Sequence, residues 1–248
     1  MLRPFVWAHR GASHVAPENT LAAFSLALAD GADGLELDVH LSRDGVPVVI
    51  HDQTVDRTTN GVGPVSALTL GELQALDAGA WFSAAYTGES IPTLKQVLAL
   101  FAGCVQLNLE VKSVDAALAT IDLLNSYPDA DVVLSSFNLR LLRRLRTVTP
   151  QLAMAVLYEQ GNRYRALHCA KEIAAVSFNP RVDLLSRPML KSCCAFGLPV
   201  HTWTLDDPVQ IRSLVRAGVS GVFTNNPACI SAASALEFRS QKPQRLVV

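Results

Sequence analysis

The chain has 248 residues, of which half are hydrophobic and 17% are charged, and its formal net charge is -1. A chain of this length and apolar content can bury a large core, and its composition carries no signature of disorder. The near-neutral charge provides no basic surface for nucleic acid and no polybasic patch for an anionic membrane. We therefore expect no nucleic-acid partner and no stable membrane association.

The five cysteines include an adjacent pair and no CxxC spacing, so neither a disulfide framework nor a zinc site is indicated. No apolar stretch approaches the length needed to span a bilayer. The first predicted strand begins near Phe5, which leaves no room for a removable signal segment. These observations favour a soluble, cytoplasmic protein, and they leave its oligomeric state open.

Strand and helix signals alternate from the beginning of the chain. The apolar stretch Phe5–Ala8 is typical of a short strand, and it runs directly into His9, Arg10 and Gly11. An amphipathic helix is predicted from about Asn19 to Asp30. Charged residues at the carboxyl end of a first parallel strand indicate either a solvated turn or a functional site.

The second predicted strand, Gly34–Leu41, alternates strictly between polar and apolar residues. Because the side-chain period of a strand is two, Glu36 and Asp38 share one face. A tight Asp-Gly turn then leads into a further strand, Val46–Ile50, which ends at His51.

Residues 53–90 interrupt this alternation and are too long for a simple connection, so we expect an insertion after the second strand. Its aromatic residues Trp81, Phe82 and Tyr86 are candidates to contact a ligand.

The remaining sequence resumes the alternation and brings the number of parallel strands to eight. They are predicted to begin at Phe5, Gly34, Val105, Val132, Leu152, Ala174, Val200 and Gly221. Eight such units in about 250 residues indicate a (β/α)₈ TIM barrel. A doubly wound open sheet is the alternative, but no GxGxxG follows the first strand and no Walker A sequence is present. We expect one domain over residues 1–240, with a last helix from Pro227, and a tail over residues 241–248.

Polar side chains recur where the first strands end, and a barrel brings these ends together at one mouth. The set comprises His9, Arg10, Glu36, Asp38, His51, Glu110 and Lys112. Three converging carboxylates repel one another, and their oxygen ligands suit Mg²⁺ or Ca²⁺ better than zinc. Each residue alone fits a solvated or salt-bridged position. Seven together favour a functional site, because burying them unpaired would cost several kcal/mol apiece.

These residues fall in an ordered set of motifs that resembles the glycerophosphodiester phosphodiesterase family, in its short bacterial cytoplasmic branch. The motifs are His9-Arg10-Gly11 followed by Pro17-Glu18-Asn19-Thr20, Glu36-Leu37-Asp38-Val39, His51-Asp52, Arg57-Thr58-Thr59-Asn60-Gly61 and Asn108-Leu109-Glu110-Val111-Lys112. The resemblance covers nearly the whole chain.

The resemblance implies a metal-dependent enzyme that cleaves glycerophosphodiesters, such as glycerophosphocholine and glycerophosphoethanolamine, to glycerol 3-phosphate and an alcohol. It implies that the metal ligands are Glu36, Asp38 and Glu110, that His9 and His51 are the paired acid and base, and that Arg10 and Lys112 hold the phosphate. By resemblance to other two-histidine phosphodiesterase barrels, His9 is assigned as base and His51 as acid. Trp81 and Trp203 are the aromatic candidates for substrate binding.

Two positions depart from the family pattern. Asn225 stands where members often carry an Asp, and Phe178-Asn179-Pro180 lacks a His found in some relatives. Two alternative functions are a lysophospholipase D acting on lipid and a catalytically silent barrel that only binds phosphodiesters. The preferred alcohol, the native cation and the nucleophile, either water or the substrate's own neighbouring hydroxyl, stay open at this point.

Overall fold

Eight parallel strands form a nearly closed barrel in the computed structural model of this chain, which describes residues 3–230. The strands are β1 (Phe5–His9), β2 (Gly34–Leu41), β4 (Gln106–Val111), β5 (Val132–Ser136), β6 (Ala153–Tyr158), β7 (Ser177–Pro180), β8 (His201–Thr202) and β9 (Gly221–Thr224). Their order in the sheet is β7-β6-β5-β4-β2-β1-β9-β8. Parallel bridges from Phe178 to Val200 and from Arg181 to Trp203 join β7 to β8. The predicted (β/α)₈ barrel is confirmed.

Most strands begin within one residue of the predicted positions, but β7 begins at Ser177 rather than Ala174. The physical reason is the exit from the preceding helix. Ala174 has a φ of 48°, and its N–H donates to the carbonyl of Lys171. The chain must complete this left-handed turn before it can extend into a strand.

The helices surround the strands and begin at capping residues in the connecting loops. They are α1 (Leu21–Ala29), α2 (Leu70–Gln74), α3 (Leu94–Phe101), α4 (Val114–Leu124), α5 (Leu139–Val148), α6 (Arg163–Glu172), α7 (Arg187–Ala195) and α8 (Pro208–Arg216). Thr20 accepts a hydrogen bond from the N–H of Ala23, and Thr93 forms a full capping box with Gln96. These caps satisfy backbone donors at the helix starts, so short polar residues mark where these helices begin.

The predicted insertion is also present. Strand β3 (Pro47–Val49) pairs antiparallel with β2, outside the barrel wall. The following residues contain α2, two short 3₁₀ helices and a separate apolar cluster built around Ile50, Val55 and Leu73. The Tyr86 hydroxyl donates to the carbonyl of Val15, which fastens the insertion to the loop after β1.

The barrel interior is divided between an apolar part and a polar part. Trp7 packs with Phe223 at a ring distance of 5.8 Å, and its indole lies over Gly34, where a Cβ would approach within 2.3 Å. Along β1 and β2, the next residues on the same faces are His9 and Glu36. The apolar part therefore ends where the polar side chains begin, towards the carboxyl ends of the strands.

Among residues 3–230, no helix is both long enough and apolar enough to cross a membrane. The predicted tail, residues 241–248, lies outside the described residues, as does most of the predicted last helix after Pro227.

We expect Gly11→Ala to destabilise the fold more than Gly45→Ala. Both glycines have positive φ values, 85° and 78°, so both substitutions carry about 1–2 kcal/mol of backbone strain. Only the Gly11 Cβ would also meet Ala23, at 2.7 Å, which adds an overpacking cost on the order of 1–3 kcal/mol. Urea unfolding of both variants measures the difference, and equal losses of stability would show that the contact with Ala23 relaxes freely.

Candidate active site

The site begins at the loop after β1, where Arg10 adopts a left-handed backbone conformation with a φ of 59°. Its N–H donates to both the carbonyl and the Oε2 of Glu36, each at 3.0 Å. Its carbonyl accepts from the N–H of Asn19, which is also left-handed, at 3.0 Å. Because such strain costs free energy, it persists only where surrounding contacts over-determine it. These contacts direct the Arg10 side chain into the barrel mouth.

Three carboxylates converge beside this loop because of the register between β2 and β4. Asp38 lies directly opposite Glu110, and Glu36 is two residues earlier on the same face of β2. One ligand atom from each of the three carboxylates lies within 4.8 Å of the other two. Asp38 is 1% exposed, and Glu36 is 5% exposed. This carboxylate trio is the most concentrated negative charge in the barrel mouth.

Two cations and an amide surround Asp38. Lys112 Nζ lies 2.9 Å from Asp38 Oδ1 and 3.2 Å from Glu110 Oε1, and Arg10 Nε lies 3.3 Å from Asp38 Oδ2. Asn19 Nδ2 donates to the same Oδ2 at 2.9 Å. Asp38 is therefore the best compensated member of the trio.

The pKa values of the trio diverge accordingly. Burial raises the pKa of Glu36 well above its ordinary value, and repulsion from Asp38 and Glu110 adds to this effect. Burial, followed by repulsion from Asp38, raises the pKa of Glu110 to about 7. Burial would also raise the pKa of Asp38, but Lys112 and Arg10 outweigh it and hold that pKa well below its usual range.

A second network connects Arg10 to His51. Arg10 Nη1 donates to Glu18 at 2.9 Å, and Glu18 also accepts two bonds of 2.8 Å from Arg57. Arg57 Nε donates to Asp52 at 2.7 Å, and Asp52 Oδ1 lies 2.5 Å from His51 Nδ1. Because a carboxylate only accepts, it orients the imidazole with Nδ1 as donor. Our sequence reasoning assigned no roles to Asp52 and Arg57, although both lie within its motifs.

His9 is oriented by a residue from the opposite end of the chain. Its Nδ1 lies 2.8 Å from Asn225 Oδ1, at the end of β9, which neighbours β1 in the barrel. Burial, assisted by the charge of Arg10, lowers the pKa of His9 to about 4. His9 is therefore a neutral imidazole near pH 7. Sequence reasoning noted Asn225 only as a departure from the family pattern, without this contact.

The two aromatic candidates lie in different surroundings. The indole of Trp203, which follows β8, donates to the carbonyl of Asn179 and packs edge-on against Phe137 at 5.7 Å. Trp81 lies in the insertion, is 41% exposed, and packs against Phe82 at 5.7 Å. The described residues show no direct contact between either indole and the carboxylate trio.

The carboxylate trio is a possible metal site, and its chemistry fits a hard divalent cation. All its donors are carboxylate oxygens, which Mg²⁺ and Ca²⁺ prefer. Burial, and then repulsion among the carboxylates, raises the pKa values of Glu36 and Glu110, and a bound cation would offset both effects.

Comparisons with known proteins show the family of this chain. Residues 9–229 match the glycerophosphoryl diester phosphodiesterase family. The chain is 39% identical over 233 residues to a glycerophosphodiester phosphodiesterase of Caldanaerobacter subterraneus, covering 91% of this chain and 96% of the relative. It is 33% identical over 242 residues to a glycerophosphodiester phosphodiesterase of Bacillus subtilis, covering 89% and 83%.

A solved structure gives the same result. The Oleispira antarctica phosphodiesterase, in complex with the product sn-glycerol-3-phosphate, superimposes with a TM-score of 0.86 at 31% identity, covering 94% of this chain and 97% of that chain. Fold and site thus define an α/β-barrel phosphodiesterase. The chain belongs to the glycerophosphoryl diester phosphodiesterase family and is an enzyme of that class.

The metal-free protein should lose stability as the pH rises from about 6.5 to 8; at lower pH the buried His9 and His201, whose pKa values are lowered to about 4, contribute the opposite trend. Glu36 and Glu110 have raised pKa values, so the folded state holds protons that the unfolded state has released. The lowered pKa of Asp38 acts only at more acidic pH. Thermal unfolding with chelator and with added Mg²⁺ or Ca²⁺ measures this. We expect the cation to raise Tm more at pH 8 than at pH 5. An equal increase at both pH values would contradict the proposed coupling.

Proposed function

We propose that this enzyme hydrolyses glycerophosphodiesters such as glycerophosphocholine and glycerophosphoethanolamine to glycerol 3-phosphate and an alcohol. The observation that carries the proposal is the gathering of the carboxylate trio, two oriented imidazoles, a guanidinium and an ammonium at one barrel mouth. A phosphodiester is an anion whose transition state accumulates charge on the non-bridging oxygens, and this set matches that requirement. The relatives' names and the product complex support the same substrate class.

In this proposal Glu36, Asp38 and Glu110 hold a divalent cation, Mg²⁺ or Ca²⁺. When bound, the cation supplies Lewis-acid stabilisation of the phosphoryl oxygens. Arg10 and Lys112 contribute fixed positive charge to the same phosphate. Arg10 is well suited to this role because its guanidinium presents several donors in a fixed plane.

The two histidines divide the proton transfers. His9 is neutral and contacts a neutral amide, so its Nε2 accepts a proton from the nucleophile. His51 donates a hydrogen bond from Nδ1–H to the carboxylate of Asp52, which fixes the orientation of the ring, and in this proposal the imidazole protonates the leaving alkoxide. Trp203, which directly follows β8, and Trp81, which is 41% exposed in the insertion, are proposed to contact the glycerol or alcohol portions of the substrate.

Substitutions in the carboxylate trio should reduce metal binding and activity together. We expect Glu36→Gln, Asp38→Asn and Glu110→Gln each to weaken cation binding by more than about tenfold, since even changes to groups behind a ligand cost about 10–100-fold. Calorimetric titration with Mg²⁺ or Ca²⁺ measures the affinity. Glu172→Gln is the control, because this carboxylate pairs with Arg143 at the surface. Wild-type affinity in an inactive trio variant would remove that residue from the ligand set.

Removing the proposed acid should matter most for poor leaving groups. We expect His51→Ala to lower kcat for glycerophosphocholine by about 10²- to 10⁴-fold with little change in substrate affinity, and to lower it much less for a nitrophenyl diester. His168→Ala is the control, because that imidazole is 79% exposed on α6. If both substrates lose the same factor, His51 is not the acid.

The nucleophile is proposed to be the substrate hydroxyl next to the phosphorylated carbon. It is already tethered to phosphorus, so its attack avoids part of the entropy of positioning water and gives a cyclic phosphate that water then opens. A 2-deoxy analogue of glycerophosphocholine should therefore still bind, yet be cleaved orders of magnitude more slowly. Product release assays on both substrates measure this. Comparable turnover would identify water as the attacking group.

A further inference from the structure

The contact between His9 and Asn225 continues to a third residue. Asn225 Nδ2 donates to Asp206 Oδ2 at 2.9 Å, and the Asn225 backbone N–H donates to Asp206 Oδ1 at 2.7 Å. The Thr224 hydroxyl also donates to Asp206 Oδ1, at 2.8 Å. Asp206 lies in the loop between β8 and α8, so hydrogen bonds run from this loop through Asn225, at the end of β9, to His9 at the end of β1.

These partners determine which way the Asn225 amide points. A carboxylate accepts and does not donate, so the amide NH₂ must face Asp206 and the amide oxygen must face His9. Ser13 Oγ lies 3.0 Å from the same oxygen and can donate to it. An acceptor 2.8 Å from His9 Nδ1 requires the proton on Nδ1 and leaves the Nε2 lone pair free.

We propose that Asp206 and Asn225 are positioning residues for His9: Asp206 orients the Asn225 amide, and the amide holds His9 in the tautomer whose Nε2 can accept a proton. The proposal rests on the assignment of His9 as base in the proposed function. It also explains how the site functions without a carboxylate in contact with His9.

A neutral amide has an electrostatic consequence at this position. The barrel mouth already contains the carboxylate trio and must admit an anionic diester. Asn225 fixes the tautomer of His9 by hydrogen bonding alone, while the carboxylate that orients it lies one residue further out, where Asp206 is exposed. The orienting charge is thereby separated from the substrate and screened by water.

The amide and the carboxylate can be exchanged between positions 206 and 225 while each pair of groups stays hydrogen-bonded. Only the bond between the two side chains then changes its direction. In the double variant Asp206→Asn/Asn225→Asp, the amide NH₂ at position 206 would donate to the carboxylate at position 225. The amide oxygen at position 206 would accept from Thr224 and from the backbone N–H of residue 225, and the new carboxylate would accept from His9 Nδ1. Every donor again faces an acceptor.

Neither single substitution satisfies this pattern. In Asp206→Asn, the new NH₂ group faces either the side-chain NH₂ or the backbone N–H of Asn225. If it faces the side-chain NH₂, the clash is relieved only when the Asn225 amide turns over, and the amide then presents a donor to His9. Asn225→Asp places two carboxylates within about 3 Å of each other, where like charges repel. Each single variant is therefore expected to be worse than the double variant.

The experiment is a double-mutant cycle on glycerophosphocholine cleavage. We expect Asp206→Asn to lose at least about tenfold in kcat with KM within about twofold, because a wrong imidazole tautomer costs up to about 10⁴ in the analogous serine-protease case. Asn225→Asp keeps an acceptor at His9 Nδ1, so we expect it to lose kcat through repulsion from Asp206 instead. We expect the double variant to recover part of both losses without reaching wild type, because its carboxylate then contacts His9 directly. Asp207→Asn is the matched control, because this substitution removes a carboxylate from the same loop. Asp207 caps α8 and does not contact Asn225.

A second measurement reads the tautomer directly. Proteins with ¹⁵N-labelled imidazoles are examined by NMR in chelator, with the His9 signal assigned from a His9→Gln variant. Wild type and the double variant should show His9 protonated at Nδ1, and Asp206→Asn should shift it towards the Nε2-protonated form. This measurement does not need turnover, so it tests the roles of Asp206 and Asn225 independently of the activity. A wild-type enzyme that cleaves no diester would refute the proposed function, and the tautomer of His9 would still test the positioning residues. Full activity in both single variants, no recovery in the double variant, or an Nε2-protonated His9 in wild type would overturn the proposal.

Discussion

Repulsion among three buried carboxylates is the constraint on which the rest of the site depends. The β2–β4 register places Asp38 directly opposite Glu110 and brings Glu36 beside them, in a barrel mouth with little water to screen them. Such an arrangement costs free energy unless positive charge compensates it. Arg10 and Lys112 both form ion pairs with Asp38, whereas Glu110 pairs with Lys112 alone. Burial, with repulsion from the neighbouring carboxylates, raises the pKa values of the two glutamates, and a divalent cation would relieve both.

The architecture supports this concentration of charge in two ways. An apolar layer around Trp7 fills the barrel below the charged residues, so they cannot relax towards the amino ends of the strands. The β1–α1 loop adopts strained left-handed conformations at Arg10 and Asn19, and bonds to Glu36 and Asp38 stabilise both. The carboxylates, whose negative charge must be compensated, thus hold in place the β1–α1 loop that supplies the positive charge of Arg10.

Much of this could be predicted from local sequence pattern. Alternation along Gly34–Leu41 placed Glu36 and Asp38 on one face, and the count of eight strands gave the barrel. What could not be predicted were contacts that depend on three-dimensional closure. His9 and Asn225 are 216 residues apart, and they meet only because β9 returns to pair with β1. The bonds of Arg57 to Glu18 likewise require the start of the insertion to fold back onto the loop after β1.

The pairing of β9 with β1 also explains what Asn225, a departure from the family pattern, does in the structure. From the sequence alone, Asn225 is a position where a negative charge is expected from the family resemblance and is missing. In the folded barrel it lies between His9 and Asp206, and that carboxylate is one hydrogen bond further from the imidazole. His51, in contrast, contacts its carboxylate directly. The two imidazoles therefore differ in their hydrogen-bond partners, since a carboxylate contacts His51 directly and reaches His9 only through the Asn225 amide.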